Sequence, residues 1–219
     1  MSEQINRIVA NCPAIFFQRV LEYTDSGFGE ALTLTGRHID EPETPNMLGQ
    51  FRHARCEAGF RKAGEESGLP VLSQHTSPAG SRYSLVAVNN IYLIRSNIQK
   101  HCGTPRPTAF RKTWAALNKW LEPIQLDWLE VKTPPPADRL CGMIVTTAHP
   151  RFGNPNVPSF VGLGIPWPDL SGWATLVPLT DLLSRYHDKD TAERTPQAAP
   201  VGIKDRAVPQ LKKKRNENE

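Results

Sequence analysis

Glu130 and Lys132 are the two residues of this chain whose types and spacing come nearest to hydrolytic chemistry. They close the run Asp127-Trp128-Leu129-Glu130-Val131-Lys132, at the end of a stretch that reads as extended from Ile124. Side chains two apart on a strand point to the same face. A carboxylate able to hold Mg²⁺ would then stand beside an ammonium able to polarise a scissile phosphate. Asp127, three residues before Glu130, faces the other side of a regular strand.

Glu-x-Lys is the trailing half of PD-(D/E)xK, the signature of a class of metal-dependent nucleases. The leading half is missing, because the preceding hairpin offers Asn89-Asn90 and no aspartate. Glu57, on an earlier helix, is the remote carboxylate that could stand in for it. A divalent-metal nuclease using Glu130 and Lys132 is therefore an alternative reading, behind a non-catalytic one. Cys102 follows His101, but neighbours in an extended chain point opposite ways, so no activated thiol is expected. The six histidines show neither HExxH nor any other ligand spacing, and no metal site is expected. Gly162-Leu163-Gly164 lacks the third glycine of a dinucleotide loop, and no cofactor is expected.

The elements that must carry these residues read as one α+β domain over residues 1–187, followed by a disordered basic tail over 188–219. Ile5, Ile8, Val9, Cys12, Ile15, Phe16, Val20 and Leu21 recur at helical spacing from Glu3 to Tyr23, with a break at Pro13. Thr44-Pro45 suits the cap and first position of a helix reaching Glu66, with Met47, Phe51, Ala54, Ala58 and Phe60 as its apolar stripe. Val71–His75, Tyr83–Val88 and Ile91–Arg95 read as an antiparallel meander. Asn89-Asn90 suits a type I′ turn, because Asn tolerates positive φ.

Thr108–Leu121 reads as an amphipathic helix. Phe110, Trp114, Leu117 and Leu121 form its apolar arc, with Arg111, Lys112, Asn118 and Lys119 opposite. Pro134-Pro135-Pro136 is a stiff spacer, Leu140–Thr147 and Ser159–Ile165 read as strands in a sheet shared with the meander, and Leu176–Tyr186 as a closing helix. The polar connection 148–158 is a long loop or a functional rim. The chain has no apolar run long enough to span a membrane, no basic leader ahead of an apolar stretch and no CxxC pair among its four cysteines. A cytoplasmic protein without membrane attachment is expected.

Charge carries the functional reading. Residues 1–66 hold ten acids against seven bases, and residues 122–187 six against four. Between them, from Ser67 to Leu121, there is no Asp or Glu at all. That block contains Arg82, Arg95, Lys100, Arg106, Arg111, Lys112 and Lys119. Bases without local counter-charges sustain a positive potential that attracts polyanions. The expectation is a nucleic-acid-binding protein, DNA or RNA, whose hairpin and helix over residues 82–119 contact phosphates, with Tyr83 or Tyr92 available to stack on bases. An adaptor or inhibitor of an acidic protein partner is the other alternative. Cations that face outward support a polyanionic partner, and cations that meet acids such as Asp40, Glu41, Glu43 and Glu130 inside the fold remove that support; a salt-insensitive complex with a defined protein and no nucleic-acid binding selects the adaptor.

Overall fold

A computed structural model of the chain describes residues 2–76, 80–99, 103–122, 138–149 and 153–194. Ile5 and Ile8 turn one stripe of α1 (Glu3–Asn11) into the core. Pro13, which cannot continue a helix, separates it from α2 (Ala14–His38), as its ring requires. The expected helical segment ends at Tyr23, yet α2 continues to His38. Its second half is rich in Gly, Ser and Thr, all weak helix formers, and is held instead by packing. Thr24, Gly27, Phe28, Ala31 and Thr35 are buried along it, and these mostly small residues let α2 lie close against α3 (Thr44–Glu66). The approach is tight enough that a Cβ on Gly59 of α3 would stand 2.6 Å from Cβ of Tyr23.

α3 begins one residue earlier than its capping signal implies. Glu43 takes the cap position, while Thr44 Oγ1 donates back to the carbonyls of Ile39 (3.1 Å) and Asp40 (3.2 Å). Its expected apolar stripe is also corrected. Ala54 is exposed, and the buried face is Cys56, Glu57, Gly59, Phe60, Ala63 and Gly64. Of the expected stripe Phe60 is buried and Met47, Phe51 and Ala58 are half-buried, while glycine and alanine make the close contacts along the rest of the buried face.

β1 (Val71–His75), β2 (Arg82–Val88) and β3 (Ile91–Asn97) form the expected meander. Asn89 and Asn90 have φ of 44° and 64°, the two positive values a type I′ turn needs. β4 (Leu140–Ala148), β5 (Pro158–Pro166) and β6 (Trp173–Pro178) complete one six-stranded sheet in chain order. All pairs are antiparallel except β3 with β4. A parallel pair requires a crossover, and α4 (Ala109–Ala115) with the 3₁₀ turn Ala116–Leu121 lies in it.

α5 (Leu179–Arg194) corrects the closing helix expected at Leu176–Tyr186. Leu176, Val177 and Pro178 belong to β6, because a short apolar run serves a strand as well as a helix. At its other end α5 continues to Arg194, into the segment read as tail. The strand over 124–131, the polyproline spacer and the chain from 195 lie outside the described residues.

Both faces of the sheet are covered. Leu93, Leu140, Ile144 and Leu163 pack with Ile5, Ile8, Phe16, Phe17 and Phe60 of α1 to α3. On the opposite face Leu85, Ile94, Cys141, Met143 and Val145 pack with Ala115, Phe110, Trp114 and Leu117 of the crossover. Alternation along β3 and β4 sends successive side chains to opposite layers. α5 closes the first layer, where Tyr186 Oη donates to the carbonyl of Cys12 at 2.7 Å. No described helix is long and apolar enough to cross a membrane.

Candidate functional site

Arg95 follows Leu93 by two on β3 and so faces the helical layer. Its side chain is 2 % exposed and lies 3.8 Å from Oε1 of Glu57, which projects from α3. The two Nη nitrogens of Arg95 have further partners on three elements, while its Nε is buried with no hydrogen-bond partner among the described residues. Nη2 donates to Oδ1 of Asn97 (2.6 Å) and to Oγ1 of Thr146 on β4 (2.9 Å), and Nη1 lies 3.3 Å from Nδ1 of His53. Glu57 Oε2 accepts from the backbone N–H of Ser84 at 3.2 Å. His53 and Glu57 are one helical turn apart, so α3 presents both to the sheet.

Above this pair opens a cleft of about 640 Å³. Its walls are His53 and Glu57 of α3, Arg82 and Tyr83 at the start of β2, Asn97 at the end of β3, and the segment from Arg106 to Arg111 that leads into α4. Arg111 is fixed there by its surroundings. Its Nη1 donates to the carbonyl of Arg106 at 3.1 Å, and its guanidinium carbon lies 5.0 Å from the Phe110 ring centroid. Phe110 in turn stacks on Tyr83, centroids 4.3 Å apart and planes 17° apart. Arg111 Nε is buried with no hydrogen-bond partner among the described residues.

The electrostatics are lopsided. Burial pulls the Arg111 proton affinity below the ordinary guanidinium value, Arg95 and Arg106 add to this, and Glu57 opposes it. The His53 imidazole is likewise held below its ordinary value, first by burial and then by Arg95, against the pull of Glu57. One carboxylate thus faces a set of guanidiniums, and it is already engaged by Arg95.

The structure brings together Arg82, Arg95, Arg106 and Arg111 of the acid-free block, Arg95 from below and the others on the walls. Lys112 and Lys119 are exposed along the crossover but do not line the cleft. Lys100, Glu130, Lys132, His101 and Cys102 lie outside the described residues. Among the described residues Arg95 is the one cation of the block in an ion pair. Asp40, Glu41 and Glu43 are exposed and form no ion pair with the described residues of the block.

Asn118, expected on the cationic face, is fully buried. From Ala116 the helix tightens to 3₁₀ geometry, in which residues three apart eclipse one another, so Asn118 falls in line with the buried Ala115. The aromatic expectation also changes. Tyr83 stacks on Phe110, donates to Gln74 Oε1 (2.5 Å) and accepts from Trp114 Nε1 (3.2 Å), while Tyr92 stacks on Trp114. These rings are engaged within the fold.

His53 was not among the sequence candidates. Its signal is the i, i+4 pairing with Glu57 on α3, which points at the sheet only once the small-residue face of α3 is recognised. Cys12, Cys56 and Cys141 are buried free thiols. Burial pushes Cys12 up to about 12 and raises the other two, the opposite of what a nucleophile needs. Among the described residues no three His, Cys, Asp or Glu side chains converge as a metal site would require. No protein-family model matches the chain, and comparison with curated proteins and with solved structures finds no match.

Proposed function

We propose that this chain is a non-catalytic nucleic-acid-binding protein that grips phosphates with the arginines of this cleft and with the exposed lysines beside it. The observation that supports the reading is the excess of guanidinium over carboxylate in one concave site. Arg82, Arg106 and Arg111 share the cleft walls with a single carboxylate, Glu57. Guanidinium forks pair with phosphate oxygens through two parallel hydrogen bonds, and a recess with low-dielectric walls strengthens that pairing. Lys112 and Lys119 extend the positive surface along the crossover, where a backbone leaving the cleft would pass. Glu57 contributes indirectly, by compensating Arg95 beneath the site.

Fluorescence anisotropy with labelled single-stranded and duplex DNA and RNA tests the reading. Affinity should fall steeply between about 50 and 200 mM salt, as counterion release demands. No binding to any nucleic acid at low salt, with a salt-insensitive complex to an acidic protein instead, would replace it with the adaptor reading.

A further inference from the structure

The cleft is a half-open hollow, and a second of about 610 Å³ shares Asn97, Arg106 and Pro107 with it. The volume of about 640 Å³ bounded by α3, the start of β2, the end of β3 and the segment 106–111 falls in the range of small-molecule pockets. A double helix lying on the surface would leave it empty. The end of a strand, terminal nucleotide included, is small enough to enter it.

We infer that the cleft takes a terminal phosphate monoester of a nucleic-acid strand, an inference that rests on the nucleic-acid-binding reading above. Charge is the first argument. An internal phosphodiester brings one negative charge and two non-bridging oxygens, whereas a monoester brings a charge of about −1.5 to −2 and three strong acceptor oxygens. Three guanidiniums, those of Arg82, Arg106 and Arg111, line the recess, and none of them forms an ion pair with a carboxylate among the described residues. The more highly charged anion compensates more of them.

Preorganisation is the second argument. Arg111 is held by the Arg106 carbonyl and the Phe110 ring before any ligand arrives, and its buried Nε has no partner. For Arg111, little side-chain ordering then remains to oppose binding. The third concerns the aromatic wall. Tyr83 and Phe110 stack on each other, so the recess offers its cations rather than an open ring pair to the ligand. A phosphate end fits this better than a base.

The test compares one oligonucleotide sequence in three forms: 5′-phosphorylated, 3′-phosphorylated, and hydroxyl at both ends. A phosphorylated form should bind about tenfold or more tightly than the hydroxyl form, the difference one charge-assisted contact supplies. Arg106→Ala, exposed and thus safe for folding, should erase that preference while leaving weak binding. Which phosphorylated form wins assigns the strand polarity. Equal affinity for all three forms would overturn this inference and leave the proposed function standing. Failure of every oligonucleotide to bind would overturn both, even if inorganic phosphate alone still raised the melting temperature.

Discussion

Glu57 on α3 and Arg95 on β3 form a buried ion pair, 3.8 Å between Oε1 and Nη1, that joins the helical layer to the middle of the sheet. Neither group is spare. Removing the carboxylate strands a guanidinium that is 2 % exposed, and leaving one buried charge unpaired is far costlier than losing a surface contact.

Glu57→Gln should therefore destabilise the fold by about 3 kcal/mol. For a chain of this size that corresponds to a fall in melting temperature of roughly 10 °C. Glu57→Gln combined with Arg95→Met should recover part of the loss, since the stranded charge has gone. Calorimetry on the wild type, Glu57→Gln, Arg95→Met and the double variant decides it; strictly additive losses would mean that the pair does not couple.

Arg106 and Lys112 are exposed, one at the cleft and one beside it. Replacing both by alanine should leave stability within about 0.5 kcal/mol. The slope of log affinity against log salt should flatten by about two. An unchanged slope measured with the same labelled strand would remove these residues from the interface.

His53 makes the fold sensitive to acid. Burial and Arg95 hold its imidazole below the ordinary value of about 6.5, so the unfolded chain binds this proton more readily than the folded one. The stability it contributes is present above that value and is lost as pH falls toward the lower folded value. Urea titrations across this window should show His53→Gln losing less stability on acidification than the wild type. Parallel profiles would show that the ring titrates normally.

Asn118 ties the crossover to two strands. Its Nδ2 donates to the carbonyls of Cys141 (3.0 Å) and Pro166 (2.9 Å), and its Oδ1 accepts from Cys141 N–H at 2.8 Å. Asn118→Leu leaves those backbone groups buried without partners, at a cost of about 2–3 kcal/mol or more. Amide exchange at Cys141 should accelerate in this variant. A stability equal to the wild type would show that the side chain is dispensable.

The meander and its Asn89-Asn90 turn were legible because the strands are runs of β-branched and aromatic residues bounded by turn residues, and asparagine tolerates positive φ. The second half of α2 was not legible, since its helicity derives from contact with α3 and not from its own composition. The acid-free block pointed to Arg82, Arg106 and Arg111, but no linear pattern marks Arg95 as the member that turns inward. That depends on strand register beside Glu57, a residue many positions away in the chain. Asn118 was misplaced for a different reason: a 100° helical wheel fails where the backbone tightens to 3₁₀.

The hydroxyl of Tyr186 reaches back to the carbonyl at the joint between the first two helices, so the earliest and latest described parts of the chain complete one another. During synthesis α1 and α2 emerge long before β6 and α5 can cover them. A nascent protein must therefore hold a naked apolar flank until β6 and α5 have emerged, a situation that invites chaperones. Chains halted at Gly172 should stay open to protease where the finished protein resists it, and equal resistance would show that the early helices close on their own.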